Sequence, residues 1–520
     1  MPVSFSSIPA NWRMPLYWVE VDPSMAGFPS SVLPSLIFGT MLPSGTAEPD
    51  VPVPVASLSD AQQMFGLGSM LDGMVQFFTS NNFAQELWVI PIAEAEAGVA
   101  ATMDITVATP ATAAGTLPVY VAGRKVQVLV DVTDAVDAVA TNIADAINAD
   151  LSMPVIAAAA AAVITLTCKW KGVEGNDIDV RFAYGGSLAA EMIPVGLTFT
   201  MPVGVGANKL QGGTGTVDLA NGIKNMGDEP FEFCATGYID SDALNALETE
   251  YGFSDGGRWG WLRQLYGLVF GCKRGAGTVG DPAGYGDIMM YGPNNNSGIV
   301  TIMGVEWNSP TPSWCWAATY ASKAARALVN DPARPLQTLT LDGCLPAPKH
   351  QRFTMAQLND FAWNGIATQG VNGDGVPSIK RESSTYQFNL YGQGDDAYEL
   401  ITTMETLATL FRNQKYAITS KFPRHKLADN GTKFGAGQAI VTPNIIKAEL
   451  VAEYAIDMFN GLVENLAAYK DNLIVERDAN DPNRVNVLYP PDLINQLRVF
   501  AVLAQFRLQY DRGLDTAITG

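Results

Sequence analysis

The sequence predicts a multidomain protein of mixed α/β and α+β class, on three observations. The first is size: 520 residues, at roughly 100–200 residues per domain, give two to four domains. The second is a shift in composition. Residues 97–209 are rich in Ala, Thr and Val, and they lie between Ala97-Gly98 and the Gly-rich stretch 204–215. The third is the alternation of strand-like runs with helical stripes over 210–350, which layers helices onto a largely parallel sheet. The expected division is an N-terminal arm (1–25), the first part of a central domain (26–96), an inserted small α/β domain (97–209), and the central α/β domain proper (210–350). A C-terminal α+β domain (351–510) and a C-terminal arm (511–520) complete it.

The elements follow in order. Residues 1–25 read as an arm with one short strand, where Tyr17, Val19 and Val21 alternate against Trp18 and Glu20. Strands are expected at 36–38 and 87–92, with a helix over 57–83 between them. In the insert, a strand at 103–108 precedes a hairpin, 119–121 with 126–130, turning at Ala122-Gly123. Thr133 can cap a helix whose apolar stripe is Val136, Val139, Ile143 and Ile147. Strands at 163–168 and 178–182 close the unit.

The central part predicts strands at 231–235, 265–270 and 298–305, and helices at 241–250 and 313–329. The second of these helices stops before Asp331-Pro332, where proline blocks continuation. In the C-terminal part, Thr354 with Gln357 forms a capping box, and Asp396 with Glu399 has the same spacing. Thr442-Pro443 opens a long helix over 443–470. One of its faces carries Ile446, Leu450, Tyr454, Met458, Leu462 and Leu466; the other carries Glu449, Glu453, Asp457, Asn460 and Glu464. A hairpin over 473–489 follows.

Composition narrows the function. Hydrophobic residues make up 48% and charged residues only 16%, enough to bury a large core and consistent with extensive subunit interfaces. The net charge of −20 opposes nonspecific binding to phosphate backbones, so no direct nucleic-acid contact is expected. The basic cluster Lys415, Lys421, Arg424, His425 and Lys426 reads as a solvated loop. Five cysteines, an odd count with no two at metal-ligand spacing, fit a reducing cytosol better than a disulfide framework. No secretory signal pattern and no run of 18 apolar residues occurs, so no membrane insertion is expected.

No catalytic, cofactor-binding or metal site is predicted, and no cofactor. His350 and His425 are the two histidines, and each sits in a loop-like context. The Gly-rich stretches 204–215 and 271–286 open no helix, as a dinucleotide fingerprint would require. Asn372-Gly373-Asp374-Gly375 lacks the spaced acids of a calcium loop and reads as a hairpin turn. An α/β hydrolase or oxidoreductase of unknown substrate is the alternative reading, with a surface adhesin a third.

The end of the chain is the most unusual part. Phe500, Val502, Ala504, Phe506, Leu508 and Tyr510 alternate onto one face of an expected strand over 497–510, and Val499 and Leu503 make the other face apolar. Such a strand has to be covered on both sides, which predicts a strand shared between subunits, built on Val499, Phe500, Val502, Leu503, Phe506 and Leu508. The acids Glu449, Glu453, Asp457 and Glu464 are the candidate docking face for a basic partner; the plain alternative is a solvated helix face.

Several stretches carry a resemblance: IPANWRMPLYWVEVD (8–22), LWVIPIAE (87–94), TLPVYVAGRKVQVLV (116–130), KWKGVEGNDIDVRF (169–182), LQGGTG (210–215) and VLYPPDLINQLRVFAVLAQFRL (487–508). Together and in this order they resemble the tail sheath proteins of Mu-like contractile-tailed bacteriophages. The resemblance implies a structural virion subunit, made in the host cytoplasm and stacked as hexameric rings around an inner tail tube. Contraction of the rings would drive the tube through the host envelope. It implies as partners copies of itself, the inner tail tube protein, and baseplate and tail terminator proteins. It also implies a subtilisin-like central domain and a tube-proximal C-terminal domain with extended arms. The composition shift and self-contained element pattern of 97–209, between Gly-rich joints, separately predict an insert on the outer surface that polymerisation does not need. Residues 1–349 hold no histidine, so no Ser-His-Asp triad can form in that domain and protease activity does not carry over.

Overall fold

Strand β1 (Ser35–Thr40) is buried at every residue and lies near the middle of the central sheet. Its apolar run needs cover on both faces, and the structure, a computed structural model describing residues 33–202, 207–435 and 437–508, provides it. The expected strand within 1–25 and the arm 511–520 lie outside the described residues. A short β2 (Val53–Pro54) precedes α1 (Leu58–Phe65) and α2 (Met70–Asn81). The single helix expected over 57–83 is thus two. Gly66 and Gly68 between them take φ +86° and +77°, left-handed values that end a helix and suit glycine. Ser57 and Ser69 cap the two helices. Strand β3 (Leu87–Ile92) then runs parallel to β1.

The insert follows, with β4 (Thr102–Thr109), β5 (Gly115–Val121), β6 (Arg124–Val130), α3 (Val136–Ala149), β7 (Val155–Ala160), β8 (Val163–Cys168), β9 (Val180–Phe182) and β10 (Thr198–Thr200). Its strands form two sheets, in order β10-β4-β8-β7 and β6-β5-β9. The β5–β6 turn is Ala122-Gly123, both with positive φ, the twist that a two-residue hairpin needs. Helix α3 carries the expected stripe, but Thr133 does not cap it: the cap position is Ala135, and the Thr133 hydroxyl donates to Asp131 instead. The two ends of the insert meet as an antiparallel pairing of Val99 with Thr214.

The chain returns through α4 (Ala220–Asn225), β11 (Phe233–Thr236), α5 (Ser241–Tyr251), β12 (Leu268–Arg274), α6 (Tyr285–Tyr291), β13 (Val300–Val305) and α7 (Ser313–Asn330). The six-stranded sheet has the order β13-β12-β11-β1-β3-β2, parallel except for β2. Alternation along β1 sends neighbouring residues to opposite faces. A side chain at Gly39 would meet Leu71 and Met74 of α2, whereas one at Gly222 of α4 would meet Phe38 and Ile90. Helix α7 packs on the α2 side and is buried around most of its circumference; Ala317, Ala318, Ala321, Ala324 and Ala325 let it approach closely.

The last region holds α8 (Met355–Trp363), β14 (Thr368–Val371), β15 (Pro377–Arg381), α9 (Ile401–Lys421), β16 (Lys426–Leu427), β17 (Ile440–Val441), α10 (Pro443–Phe459), α11 (Leu466–Asn472), β18 (Ile474–Arg477) and β19 (Val485–Leu488). The Thr354–Gln357 capping box forms as expected. The Asp396–Glu399 one does not. Helix α9 starts at Ile401, and Glu399 is drawn instead into an ion pair with Arg381. Residues 372–375 make the β14–β15 turn and 473–489 the β18–β19 hairpin. The helix expected over 443–470 breaks after Phe459, at Asn460 and Gly461 (φ +76°). A second core gathers Leu410, Ile446, Leu450, Leu462 and Leu473 around Tyr454 and Tyr469, whose rings stack 3.8 Å apart.

Candidate assembly surfaces

Over its described part, 497–508, the expected two-sided strand is not formed within the subunit. Through residue 508 the terminal segment forms no strand, and Val499, Phe500, Val502, Leu503, Phe506 and Leu508 are all exposed, Phe506 at 84% and Leu508 at 97%. The alternation is real, but a strand needs a neighbouring ladder. The segment leaves the subunit without meeting an edge of the β18–β19 hairpin or of any other sheet. Exposed apolar patches of this kind mark interaction surfaces.

The root of this arm is held. Leu493 bridges to Val463, Glu464 N–H donates to the Asp492 carbonyl at 2.9 Å, and Ile494 N–H donates to the Leu462 carbonyl at 3.1 Å. The Arg498 guanidinium then closes on the buried Glu382 carboxylate, Nη1 to Oε2 at 2.9 Å and Nη2 to Oε1.

The four acids do not form one solvated stripe. Glu449 pairs with Lys421 at 2.5 Å, and Glu453 is half-buried. Asp457 is buried and accepts from Asn413 Nδ2 of α9 at 2.7 Å. Glu464 lies beyond the end of α10, where Asn495 Nδ2 donates to it at 3.2 Å. The face of α10 left open is apolar: Ile445, Ala448, Ala452, Ile456 and Phe459, the last 90% exposed. Met458, expected in the core stripe, is exposed too. Apolar and acidic positions interleave so closely here that periodicity alone did not decide which flank packs on α9.

Burial pushes the Asp457 carboxyl up to about 6, with the Asn413 hydrogen bond opposing. Its folded pKa lies above the ordinary 3.8, so its contribution to stability is full below that value and is lost as the pH rises through about 6. Asp457→Asn is therefore expected to raise the melting temperature at neutral pH and to flatten the stability–pH curve between those limits. Thermal melts of both proteins across that range check this.

A buried polar joint ties the insert to the central sheet. Asp177 takes Arg274 Nε at 2.5 Å, Lys209 Nζ at 3.3 Å and the N–H of Ser313, first residue of α7, at 2.6 Å. The Arg274 guanidinium also donates to the carbonyls of Ser309, at 2.5 Å, and Thr311. Burial works against the Asp177 anion, but Arg274 and Lys209 outweigh it and hold its pKa below the usual range. Burial and the nearby Arg274 cation lower Lys209 to about 8. Asp179 binds Arg181 at 2.6 Å beside them. Every charge here is committed to another side chain or to backbone, so the cluster fastens the two units together. Among the described residues no group of three or more His, Cys, Asp or Glu could hold a metal ion, and the five cysteines are free and buried.

Comparison with known proteins decides the family. A family model of the phage tail sheath protein central domain matches residues 212–380, and one of the phage tail sheath C-terminal domain matches 393–507. The Mu-like prophage FluMu tail sheath protein of Haemophilus influenzae is 36% identical over 510 residues, covering 98% of this chain and all of that protein. The chain belongs to the phage tail sheath family. It is a structural subunit of a contractile tail sheath, and so a virion component. Among solved structures, it is similar to the sheath tail protein of Desulfitobacterium hafniense (14% identity, 94% of this chain and 97% of that one, TM-score 0.46). It is also similar to the contracted helical sheath of the anti-feeding prophage (9%, 96% and 100%, TM-score 0.44).

The sheath C-terminal match runs through the exposed arm to residue 507. Both matched stretches lie outside 99–208. Sequence reading missed Glu382 and Arg498. The sequence signal for the pair is Arg498 itself, a charged residue opening an otherwise apolar alternation.

Proposed function

We propose that this sheath subunit links to its neighbours through the C-terminal arm, in hexameric rings stacked around an inner tail tube. The observation that carries the reading is the run of large apolar side chains at 499–508, exposed in the isolated subunit. Covering each is worth roughly 1.5–3 kcal/mol. Ladder hydrogen bonds, at about 0.5–1.5 kcal/mol each, would add register when the arm extends a neighbour's sheet. Links of this kind bend without breaking, so rings can rotate as rigid bodies during contraction and drive the tube through the host envelope. The inner tail tube protein, baseplate proteins and tail terminator are the expected further partners, and the host cytoplasm the place of assembly. The four acids are not assigned to the tube contact, because one is buried and two are paired inside the subunit.

The central α/β region is read as a subtilisin-like scaffold in a structural, non-enzymic role; its sheet is parallel but for one edge strand and carries helices on both faces. Residues 97–209 are read as the inserted unit, between 26–96 and 210–350. Electron microscopy of the purified protein tests the reading: tubes or stacked rings are expected, and discrete particles at every concentration would favour an enzyme-like globular role.

A further inference from the structure

We propose that the Arg498–Glu382 ion pair anchors the root of the C-terminal arm, which makes both residues positioning residues for assembly. The inference rests on the arm-linking reading and adds to it where the arm begins and what holds it there.

The tethering is dense and stops abruptly. Asn495 Nδ2 donates to Glu464 at 3.2 Å, and Gln337 Nε2 donates to the Leu497 carbonyl at 3.3 Å. Gln496 Nε2 donates to the Ala333 carbonyl at 2.5 Å, while its Oε1 accepts from Arg498. Arg498 completes the series with two hydrogen bonds to Glu382, whose carboxylate also accepts the Leu336 N–H at 3.3 Å. One residue later Val499 is 78% exposed.

The chemistry suits an anchor. Glu382 is fully buried and the Arg498 side chain only 12% exposed. If Arg498 let go, it would leave a buried carboxylate unpaired, which is strongly unfavourable. A guanidinium engaging both carboxylate oxygens also fixes direction, which a lysine cannot do. The partners come from separate places: Ala333, Leu336 and Gln337 follow α7, and Glu382 follows β15, ahead of α9. Tension on the arm is thus delivered to the joint of the central and C-terminal regions. Without the pair, the restraints nearest the free arm are the single hydrogen bonds at Leu497 and Gln496, worth about 0.5–1.5 kcal/mol each, and the root loosens. Slack at every link would loosen the spacing of neighbouring subunits.

Three full-length variants test this: Arg498→Lys, the double variant Glu382→Gln with Arg498→Met, and a truncation lacking 499–520. Each is assayed for melting temperature and critical concentration for tube formation. A spin label at Val499→Cys reports mobility at the root, the five native cysteines being buried. The double variant leaves no charge stranded and is expected to melt near wild type, with a more mobile label. Its critical concentration should rise about tenfold, equivalent to ~1.4 kcal/mol. Arg498→Lys should fall between the two, and it serves alone if the double variant does not fold. A folded variant that assembles at the wild-type concentration overturns the proposal. So does a rise that follows a lowered melting temperature while the label is unchanged, because the pair would then be merely structural. If the truncation also assembles normally, the arm-linking reading itself fails. If the truncation is blocked while the point variants assemble as wild type, only the anchor fails.

Discussion

Removing residues 499–520 is expected to leave the melting temperature of the subunit unchanged and to abolish tube formation. The described part of this segment, to Leu508, is exposed and belongs to neither the central nor the C-terminal core. Its loss therefore takes no buried apolar area from the fold, while the neighbour loses the side chains that would cover it. Reading the sequence alone, a cut at 497 should unfold the C-terminal domain by removing a core strand. The structure gives a cut there a different and smaller effect. It strands Glu382 without Arg498 and loosens the arm's root, but the stacked Tyr454 and Tyr469 and their surroundings stay in place. Thermal melts with electron microscopy of the two truncations separate these accounts. Tubes from the 499–520 deletion would refute arm linking.

The second large effect is expected at Asp177. Its replacement by alanine leaves Arg274 and Lys209, with side chains 4% and 2% exposed, facing each other without their shared anion. It also removes the acceptor at the start of α7. Breaking a buried ion pair by deleting one partner costs about 3–5 kcal/mol, and denaturant unfolding of Asp177→Ala should show a loss of that size. Asp177→Asn keeps the shape and one acceptor and should lose less. The same joint bears on the insert. Its paired ends, Val99 with Thr214, suit a separable unit, but Asp177 on Arg274, Arg181 on Asn308 at 3.2 Å and the Trp170–Trp314 ring contact at 5.8 Å join it to the central core. An insert deletion would expose Trp314 and free Arg274, so reduced solubility is its expected consequence.

The legible parts of the sequence were those set by local chemistry. The Ala122-Gly123 hairpin, the Thr354–Gln357 box, the Asn372–Gly375 turn and the buried run of β1 each depend on a few adjacent residues. The failures have a common cause in tertiary competition. Thr133 and Glu399 were read as capping residues, but Asp131 and Arg381 took their hydrogen-bonding groups. Helix α10 was placed correctly at its start, yet its outward face was misjudged because the packing partner, α9, lies some 40 residues earlier. The terminal alternation marks Phe500 to Leu508 as one apolar face, but a period of two cannot say whether this chain or another covers it. The Asp177–Arg274 and Arg498–Glu382 pairs join residues roughly 100 positions apart, beyond the reach of pattern reading.

The most direct test of the central claim is a cryo-electron microscopy reconstruction of assembled tubes at a resolution that traces the arm. The account predicts that residues 499–508 extend from the Arg498 anchor onto an adjacent subunit, with Phe500, Phe506 and Leu508 buried there and the backbone paired with one of its strands. An arm folded back on its own subunit, or left in solvent in the assembled tube, would contradict it.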